Sequence, residues 1–170
     1  QTMAYNQRDI LGILAMIRHL GAVVGAAEEA DRLASKYEAR LAKISTSVRK
    51  HKPKIYFEEW DNPMISGIKW VSQIIEIAGG KDIFPLLSEQ KAAKDRVVYS
   101  EEVIAAAPDI ILASWCGKKV RPEKIAARDG WQDIPAVKSG HIYEIKSPLI
   151  LQPGPAALTD GLDAICSVLS

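Results

Sequence analysis

The fold is decided by the stretch PDIILASWCG at residues 108–117. Its centre, Ile110, Ile111 and Leu112, is a continuous apolar run, which is typical of a strand that is covered on both faces. Polar and aromatic residues follow at once in 114–117, so we predict a loop there, at the carboxyl end of a strand in a parallel sheet.

Strand-like and helical patterns alternate on both sides of this run. Residues 55–57 and 141–145 are predicted to be strands, and helices are predicted over 65–78, after Ser100, after Pro122 and over 156–169. Such alternation implies parallel strands joined by right-handed helical crossovers. The sequence therefore predicts an α/β fold, a Rossmann-like lobe with a three-layer open parallel sheet and helices on both faces.

Two helices are predicted before the first strand. Apolar residues recur at helical spacing over 10–24, and Gly25 is a suitable stop. A longer amphipathic pattern covers 26–50 without an internal glycine or proline. A helix of ~25 residues would be about 37 Å long, so we expect it to act as a strut ahead of the α/β lobe.

Composition excludes several classes of protein. The 170 residues are 48% hydrophobic and 25% charged, which is ordinary for a globular domain with a core. A net charge of +1 gives no long-range field to attract nucleic acid. Because Arg18 and His19 interrupt the apolar residues 10–24, no membrane-spanning helix is predicted. Cys116 and Cys166 are far apart and fit no redox or zinc pattern, so we expect two unpaired thiols.

Three loops at predicted strand ends are candidates for a ligand-binding surface, because ligands of open parallel sheets bind beyond the carboxyl ends of the strands. They cover residues 58–67, 114–117 and 147–155. Trp60 and Trp115 offer broad, rigid apolar faces with one N–H each, which suits a large amphipathic ligand. The alternative is that either tryptophan belongs to the core.

The third of these loops is rich in proline. Pro148, Pro153 and Pro155 restrict its backbone, so the loop is either preorganised for a ligand or simply a series of turns. Ser147 and Gln152 are candidates for orienting hydrogen bonds, although surface polar residues often face only water.

Signs of catalysis are sparse. His19, His51 and His141 lie on separate predicted elements, so no two are positioned to share a metal or a nucleophile. Glu58 and Glu59 form a carboxylate pair in a candidate loop, but adjacent residues of an extended chain point to opposite faces. No GxGxxG or GxxxxGK[ST] motif occurs. The sequence therefore predicts neither a catalytic nor a metal site.

Three runs of the sequence carry a resemblance to a known family. They are KIYFEEWDNPMISGIKWVSQIIEIAGGKDIF at 54–84, RVVYSEEVIAAAPDIILASWCGKKVRPEKI at 96–125 and HIYEIKSPLILQPGPAALTDGL at 141–162. From residue 52 to its end, the chain resembles the cobalamin-type, helix-linked (class III) periplasmic substrate-binding proteins of ABC importers. In that family one long helix joins two α/β lobes, which bind the ligand between them.

The resemblance implies a domain organisation. Residues 1–25 would be the remnant of an N-terminal lobe, residues 26–51 the long linking helix, and residues 52–170 the C-terminal α/β ligand-binding lobe. Because the rest of the first lobe is missing, we expect the chain to be a fragment that does not capture ligand with high affinity alone. Apolar surface left on residues 10–24 would then favour a homo-oligomer.

The resemblance also implies a function without catalysis. Such a protein captures cobalamin or a related corrinoid, in the periplasm or anchored outside the membrane, and delivers it to an ABC permease and ATPase complex. It carries cobalamin as cargo and needs no cofactor. Glu101 matches an acidic residue that docks on the permease, although helix-start electrostatics explains Glu101 and Glu102 equally well. Carried over by position, the ligand-facing residues would be Glu59, Trp60, Asp61, Pro63, Met64, Asp95, Arg96, Trp115 and Gln152.

Two alternatives stay open at this point. Ferric siderophore and haem binders share the architecture, so the ligand is less well specified than the family. A small α/β enzyme that uses Glu58 or Glu59 as a base is the alternative of another class, although the sequence offers no second catalytic group.

Overall fold

A mixed sheet lies at the centre of the protein. The structure, a computed structural model, describes residues 2–46 and 51–170. Within these ranges the sheet contains five strands, which are β1 (Lys54–Asp61), β2 (Met64–Ser66), β3 (Lys81–Asp82), β4 (Ile110–Ala113) and β5 (Ile142–Glu144). The helices are α1 (Ile10–Val23), α2 (Ala27–Ser45), α3 (Lys69–Ile77), α4 (Pro85–Ser88), α5 (Ser100–Ala106), α6 (Pro122–Ala126), α7 (Pro135–Lys138), α8 (Ser147–Ile150) and α9 (Leu162–Leu169).

The strands are mostly parallel. β4 pairs in parallel with β1 on one side and with β5 on the other, and β3 also runs parallel to β1. Only β2, among the strands described, is antiparallel, and it forms a hairpin with the end of β1. The prediction of an α/β fold with an open, largely parallel sheet is therefore confirmed.

Strand β1 is longer than the sequence indicated. We predicted a strand over 55–57 and a loop over 58–67, but the strand continues to Asp61 and turns back through β2. The loop prediction was wrong because the run from Glu58 to Pro63, which follows a short apolar run, was interpreted as the end of the strand. In the folded protein Glu58 and Glu59 each bind an arginine, and the strand is held by pairing with both β2 and β4.

The two faces of the sheet each carry a hydrophobic core. Ile55 and Phe57 of β1 point to one face, where they pack with residues of α1, α2, α3 and α9. Tyr56 points to the other face and packs with Val103 of α5 and Ile125 of α6. This alternation along one strand produces the three-layer arrangement that was predicted.

Helices α1 and α2 form an antiparallel pair beside the first face. Asp9 caps α1 by accepting a hydrogen bond from the Gly12 amide at 2.7 Å. Arg18 then joins the helices, since its guanidinium donates to Asp31 at 2.8 Å and to Glu38 at 2.9 Å. No helix within the described ranges is both long and apolar enough to cross a membrane.

Helix α2 is shorter in the described residues than predicted. It has 19 residues and ends at Ser45, which corresponds to about 28 Å. The predicted continuation over 47–50 lies outside the described residues. Other boundaries also moved: the helix predicted over 65–78 begins at Lys69, because residues 64–66 pair with β1, and α8 occupies the start of the predicted 147–155 loop.

The α1–α2 contact generates a prediction about Gly21. A Cβ atom at this position would lie 2.1 Å from the Cβ of Ala30 and 2.9 Å from the carbonyl oxygen of Ala26. We expect Gly21→Ala to lower the free energy of unfolding by about 1–3 kcal/mol, because the helices must separate to admit the methyl group. Urea denaturation measures this. Gly154→Ala is the control, since nothing lies within 4 Å of its Cβ position, and equal stability of both variants would contradict the packing described.

Candidate ligand-binding site

Three parallel strands end at one edge of the sheet. We call this the carboxyl edge; it is formed by the last residues of β1, β4 and β5 with the segments that follow them, 62–63, 114–121 and 145–148. In open parallel sheets this edge is where ligands bind, because loops from neighbouring strands diverge there and leave a crevice. The predicted site residues can be located relative to it.

A buried carboxylate, that of Glu58, binds side chains from several segments of the chain at the carboxyl edge. Glu58 is fully buried, and Arg128 donates two hydrogen bonds to it, at 2.5 Å to Oε2 and 3.0 Å to Oε1. Trp115 Nε1 donates to Oε1 at 3.1 Å, and the Tyr56 hydroxyl donates to Oε2 at 3.2 Å. We call these four residues the Glu58 network. It connects β1, the segment after β4 and the segment after α6.

The charges in this network are mutually stabilised. Burial opposes the charge of Arg128, but the hydrogen bonds and negative charge of Glu58 outweigh it and raise the pKa of Arg128. Burial, together with the neighbouring Glu58 charge, raises the pKa of Tyr56 well above its ordinary value, so its hydroxyl stays a donor. The arginine also packs on Trp131, with Cζ 4.6 Å from the ring centroid.

Glu59 points to the opposite face of β1 and has a different arginine. Arg96 Nη1 and Nη2 donate to its carboxylate at 2.7 and 3.0 Å, and Nη1 also donates to the Ser66 carbonyl. Arg96 is 2% exposed. The prediction that Arg96 faces the ligand is therefore wrong: its guanidinium is buried, where it holds the β1–β2 hairpin against the segment 93–96.

The two tryptophans lie close together, on either side of one lysine. Lys118 Nζ is 5.4 Å from the centroid of Trp60 and 5.0 Å from that of Trp115, and it pairs with Asp61 at 2.5 Å. Trp60 is half-buried on β1, whereas Trp115 is only 3% exposed. Of the two interpretations that the sequence left open, Trp115 follows the core one, because it is buried and its N–H donates to Glu58.

A groove opens beside Trp115. It has a volume of about 310 Å³, and the segments after β4 and β5 form its walls. Lys146 pairs with Glu144, and the Val120 amide donates to the same carboxylate at 3.2 Å. The hydrogen bond from Lys146, with smaller contributions from the Val120 amide and from the charges of Lys146 and Lys119, lowers the pKa of Glu144. We call this the basic groove; it is lined by Trp115, Gly117, Lys118, Lys119, Glu144, Lys146, Ser147 and Pro148.

The structure brings only part of the predicted site together. Met64 faces Asp61 across the hairpin, and its sulfur accepts from Arg128 at 3.3 Å. The other predicted positions are exposed, and no side-chain hydrogen bond or ion pair of the described residues joins them to the tryptophan pair. They are Pro63, Asp95, Glu101 and Gln152.

Sequence reasoning missed the basic residues of this edge. Lys118 and Lys119 follow β4, and Lys146 follows β5, so lysines placed just after two parallel strands were a usable signal. Arg128 carried no such signal, because 70 residues separate it from Glu58.

The carboxylates of Glu58 and Glu59 are not placed for catalysis. Glu58 and Glu59 are both held by arginines and point to opposite faces, so neither is placed as a free base. No cluster of three or more histidine, cysteine, aspartate or glutamate side chains within residues 2–46 and 51–170 could hold a metal ion. In the same ranges no disulfide joins Cys116 to Cys166.

The fold is an open α/β lobe, and aromatic and basic side chains lie at its carboxyl edge. Such an edge is suited to binding a ligand. The model of the family described as "Periplasmic binding protein" matches residues 1–149, so the chain belongs to this family, the helix-linked substrate-binding proteins of ABC transporters. Its members bind substrates for transport and are not enzymes, which excludes the enzymatic alternative, and they carry transported ligands rather than cofactors.

Individual relatives agree with this assignment. An uncharacterized ABC transporter substrate-binding lipoprotein of Bacillus subtilis, YvrC, is 24% identical over 162 residues, covering 88% of this chain and 47% of its own length. The chain therefore spans about half the length of that curated relative.

Two solved structures show the same fold with different cargo. S. aureus IsdE, complexed with haem, superposes with a TM-score of 0.78 at 19% identity, over 99% of this chain and 67% of its own. The vitamin B12 binding protein BtuF of Vibrio cholerae superposes with a TM-score of 0.69 at 18% identity, over 97% of this chain and 63% of its own.

The Glu58 network generates a stability prediction. Removing one partner of a buried ion pair leaves the other charge unpaired, so Glu58→Ala should lower the free energy of unfolding by about 3–5 kcal/mol in urea denaturation. Glu123→Ala is a matched control, because its ion pair with Arg121 lies on the exposed surface and should contribute less than about 1 kcal/mol. A loss at Glu58 as small as that of the control would contradict the described role of the network.

Proposed function

We propose that this chain is the C-terminal ligand-binding lobe, with its preceding helices, of a substrate-binding protein that serves an ABC importer. The observation that carries the proposal is the meeting of Trp60, Asp61 and Lys118 at the carboxyl edge of the sheet, where Lys118 also lies over the ring of the buried Trp115. The family membership supports the transport role, and the lipoprotein relative supports a location outside the cytoplasmic membrane, in the periplasm or anchored to the cell surface.

The proposed cargo is cobalamin or a related corrinoid. A corrin ring is large and apolar on its faces and carries amide groups around its rim. The half-buried Trp60 supplies aromatic surface for such a ring, and Asp61 beside it is an acceptor for an amide N–H. Haem or a ferric siderophore is the alternative cargo, because one protein of similar fold is described in complex with haem and another as part of an Fe3+-hydroxamate transport system.

Delivery requires a docking point for the permease, and we propose Glu101. Both Glu101 and Glu102 are exposed at the start of α5. The Glu102 carboxylate already accepts a hydrogen bond from the Tyr99 amide at 2.7 Å, which fulfils the capping role. Glu101 has no hydrogen bond or ion pair within the described part of the chain, so its charge is available to an arginine of a partner.

The proposed domain organisation keeps the boundaries inferred from the sequence. Residues 1–25 would be the remnant of an N-terminal lobe, residues 26–51 the long linking helix, and residues 52–170 the C-terminal ligand-binding lobe. Helix α1 exposes Leu11, Leu20 and Val23 on its surface. Association of the chain into a homo-oligomer through these apolar residues stays a prediction.

Ligand titration tests the proposal. The chain should bind cyanocobalamin weakly, as expected of one lobe alone, with a change in tryptophan fluorescence that saturates at high ligand concentration. Trp60→Ala should weaken this binding by about 10-fold or more, because an aromatic contact of this size is lost. Tyr143→Ala is the control, since this aromatic side chain stacks on His141 at the amino-terminal end of β5.

The outcomes separate the possible ligands. Saturable binding of haemin or a ferric hydroxamate, with none of cyanocobalamin, would overturn the corrinoid assignment and retain the transport class. An unchanged dissociation constant for Trp60→Ala would remove the carboxyl edge from the site. Failure of every one of these compounds to bind would contradict the proposed function itself.

A further inference from the structure

We infer that the basic groove recognises an acidic group of the transported molecule, a carboxylate or a phosphate, and that Lys119 supplies the charge for this contact. The inference rests on the proposed function and deepens it, because it specifies a chemical feature that the cargo must carry. It concerns specificity: the aromatic residues would hold a bulky ring, and the groove would select those rings that bear an anion.

The first argument is the position of the groove. Its two walls are the segments that follow neighbouring parallel strands, β4 and β5, at the edge where ligands of this fold class bind. Trp115 and Lys118 line the groove, and Lys118 also lies over the ring of Trp60. The groove is therefore continuous with the surface around Trp60. A volume of about 310 Å³ is enough for a side group of a large ligand but not for a whole macrocycle.

The second argument is the balance of charge. Three lysines line the groove, and two carboxylates partner two of them: Asp61 binds Lys118, and Glu144 binds Lys146. Among residues 2–46 and 51–170, Lys119 has no carboxylate within ion-pair distance. Glu144 is already engaged by Lys146 and by the Val120 amide. Lys119 acts on Glu144 only through its charge and forms no ion pair of its own within the described part of the chain, so the three lysines exceed the two carboxylates beside them by one positive charge.

The third argument is the surroundings of that charge. Trp115 and Pro148 form apolar walls beside the lysines. Lys119 is exposed in the chain alone, so a bound ligand that covers the groove must displace water before the local dielectric constant falls and the attraction between Lys119 and an anion strengthens. A neutral amide in the same place would gain much less, so the groove should discriminate between an acid and its amide or ester.

The experiment compares three corrinoids that differ in their acidic groups. Cyanocobalamin has a phosphodiester, cobyric acid has a free carboxylate, and cobinamide has neither. Fluorescence or calorimetric titration of the full 170-residue chain should show that at least one acidic corrinoid binds about 3- to 10-fold more tightly than cobinamide at low salt. This preference should decrease as salt is raised.

Charge reversal identifies the residue responsible. Lys119→Glu should abolish the preference for the acidic corrinoid, measured as the ratio of its dissociation constant to that of cobinamide. Lys81→Glu is the matched control, because Lys81 is also an exposed lysine but opens β3 next to Lys54, at the other end of β1. Haemin and its dimethyl ester provide the same comparison if the chain binds haem instead of corrinoids.

Each result decides between the claims. A preference for cyanocobalamin assigns the groove to phosphate, and a preference for cobyric acid assigns it to carboxylate. Equal binding of all three corrinoids, or a preference that survives Lys119→Glu, overturns the inference while the proposed function stands. Absence of binding by every corrinoid and by both haem compounds overturns the proposed function and the inference with it.

Discussion

The carboxylate of Glu58 is buried without access to solvent, and the carboxyl edge is built around the groups that compensate its charge. A buried carboxylate is stable only when it is paired and hydrogen-bonded. Arg128, Trp115 and Tyr56 meet that requirement from three separate parts of the chain. Because these donors must converge on one acceptor, the end of β1 and the segment after β4 are fixed relative to each other.

A second ion pair acts on the other side of the same strand. Glu59 and Arg96 hold the β1–β2 hairpin, so two adjacent acidic residues are anchored in opposite directions. Between these anchors and the turn of the hairpin lie Trp60 and Asp61. The charged pairs thus position side chains at the surface without presenting their own charges to a ligand, and lysines, including Lys118, Lys119 and Lys146, are among the exposed charged side chains at this edge.

Sequence patterns predicted the fold better than the site. The apolar run Ile110–Ile111–Leu112 predicted a buried strand, and β4 is that strand, because a run covered on both faces has no other simple interpretation. A loop was predicted from Glu58 onward, and this was wrong because the arginines that stabilise Glu58 and Glu59 in the strand are 70 and 37 residues away along the chain. Long-range partners of this kind leave no local pattern. For the same reason the sequence could not decide between the ligand face and the core for Trp115, since its N–H acceptor, Glu58, is 57 residues away along the chain.

The central claim is that the carboxyl edge, and not another surface, receives the ligand. A second groove, of about 460 Å³, lies along α1, α3 and α4 and shares no residue with the basic groove. It is the alternative binding surface against which the claim can be tested. Mapping backbone amide chemical shifts during addition of cyanocobalamin tests it most directly. The account predicts that the largest shifts occur at residues 60–64, 115–119 and 146–147. Largest shifts at Ile10, Leu11 and Ile77 in the competing groove would contradict it.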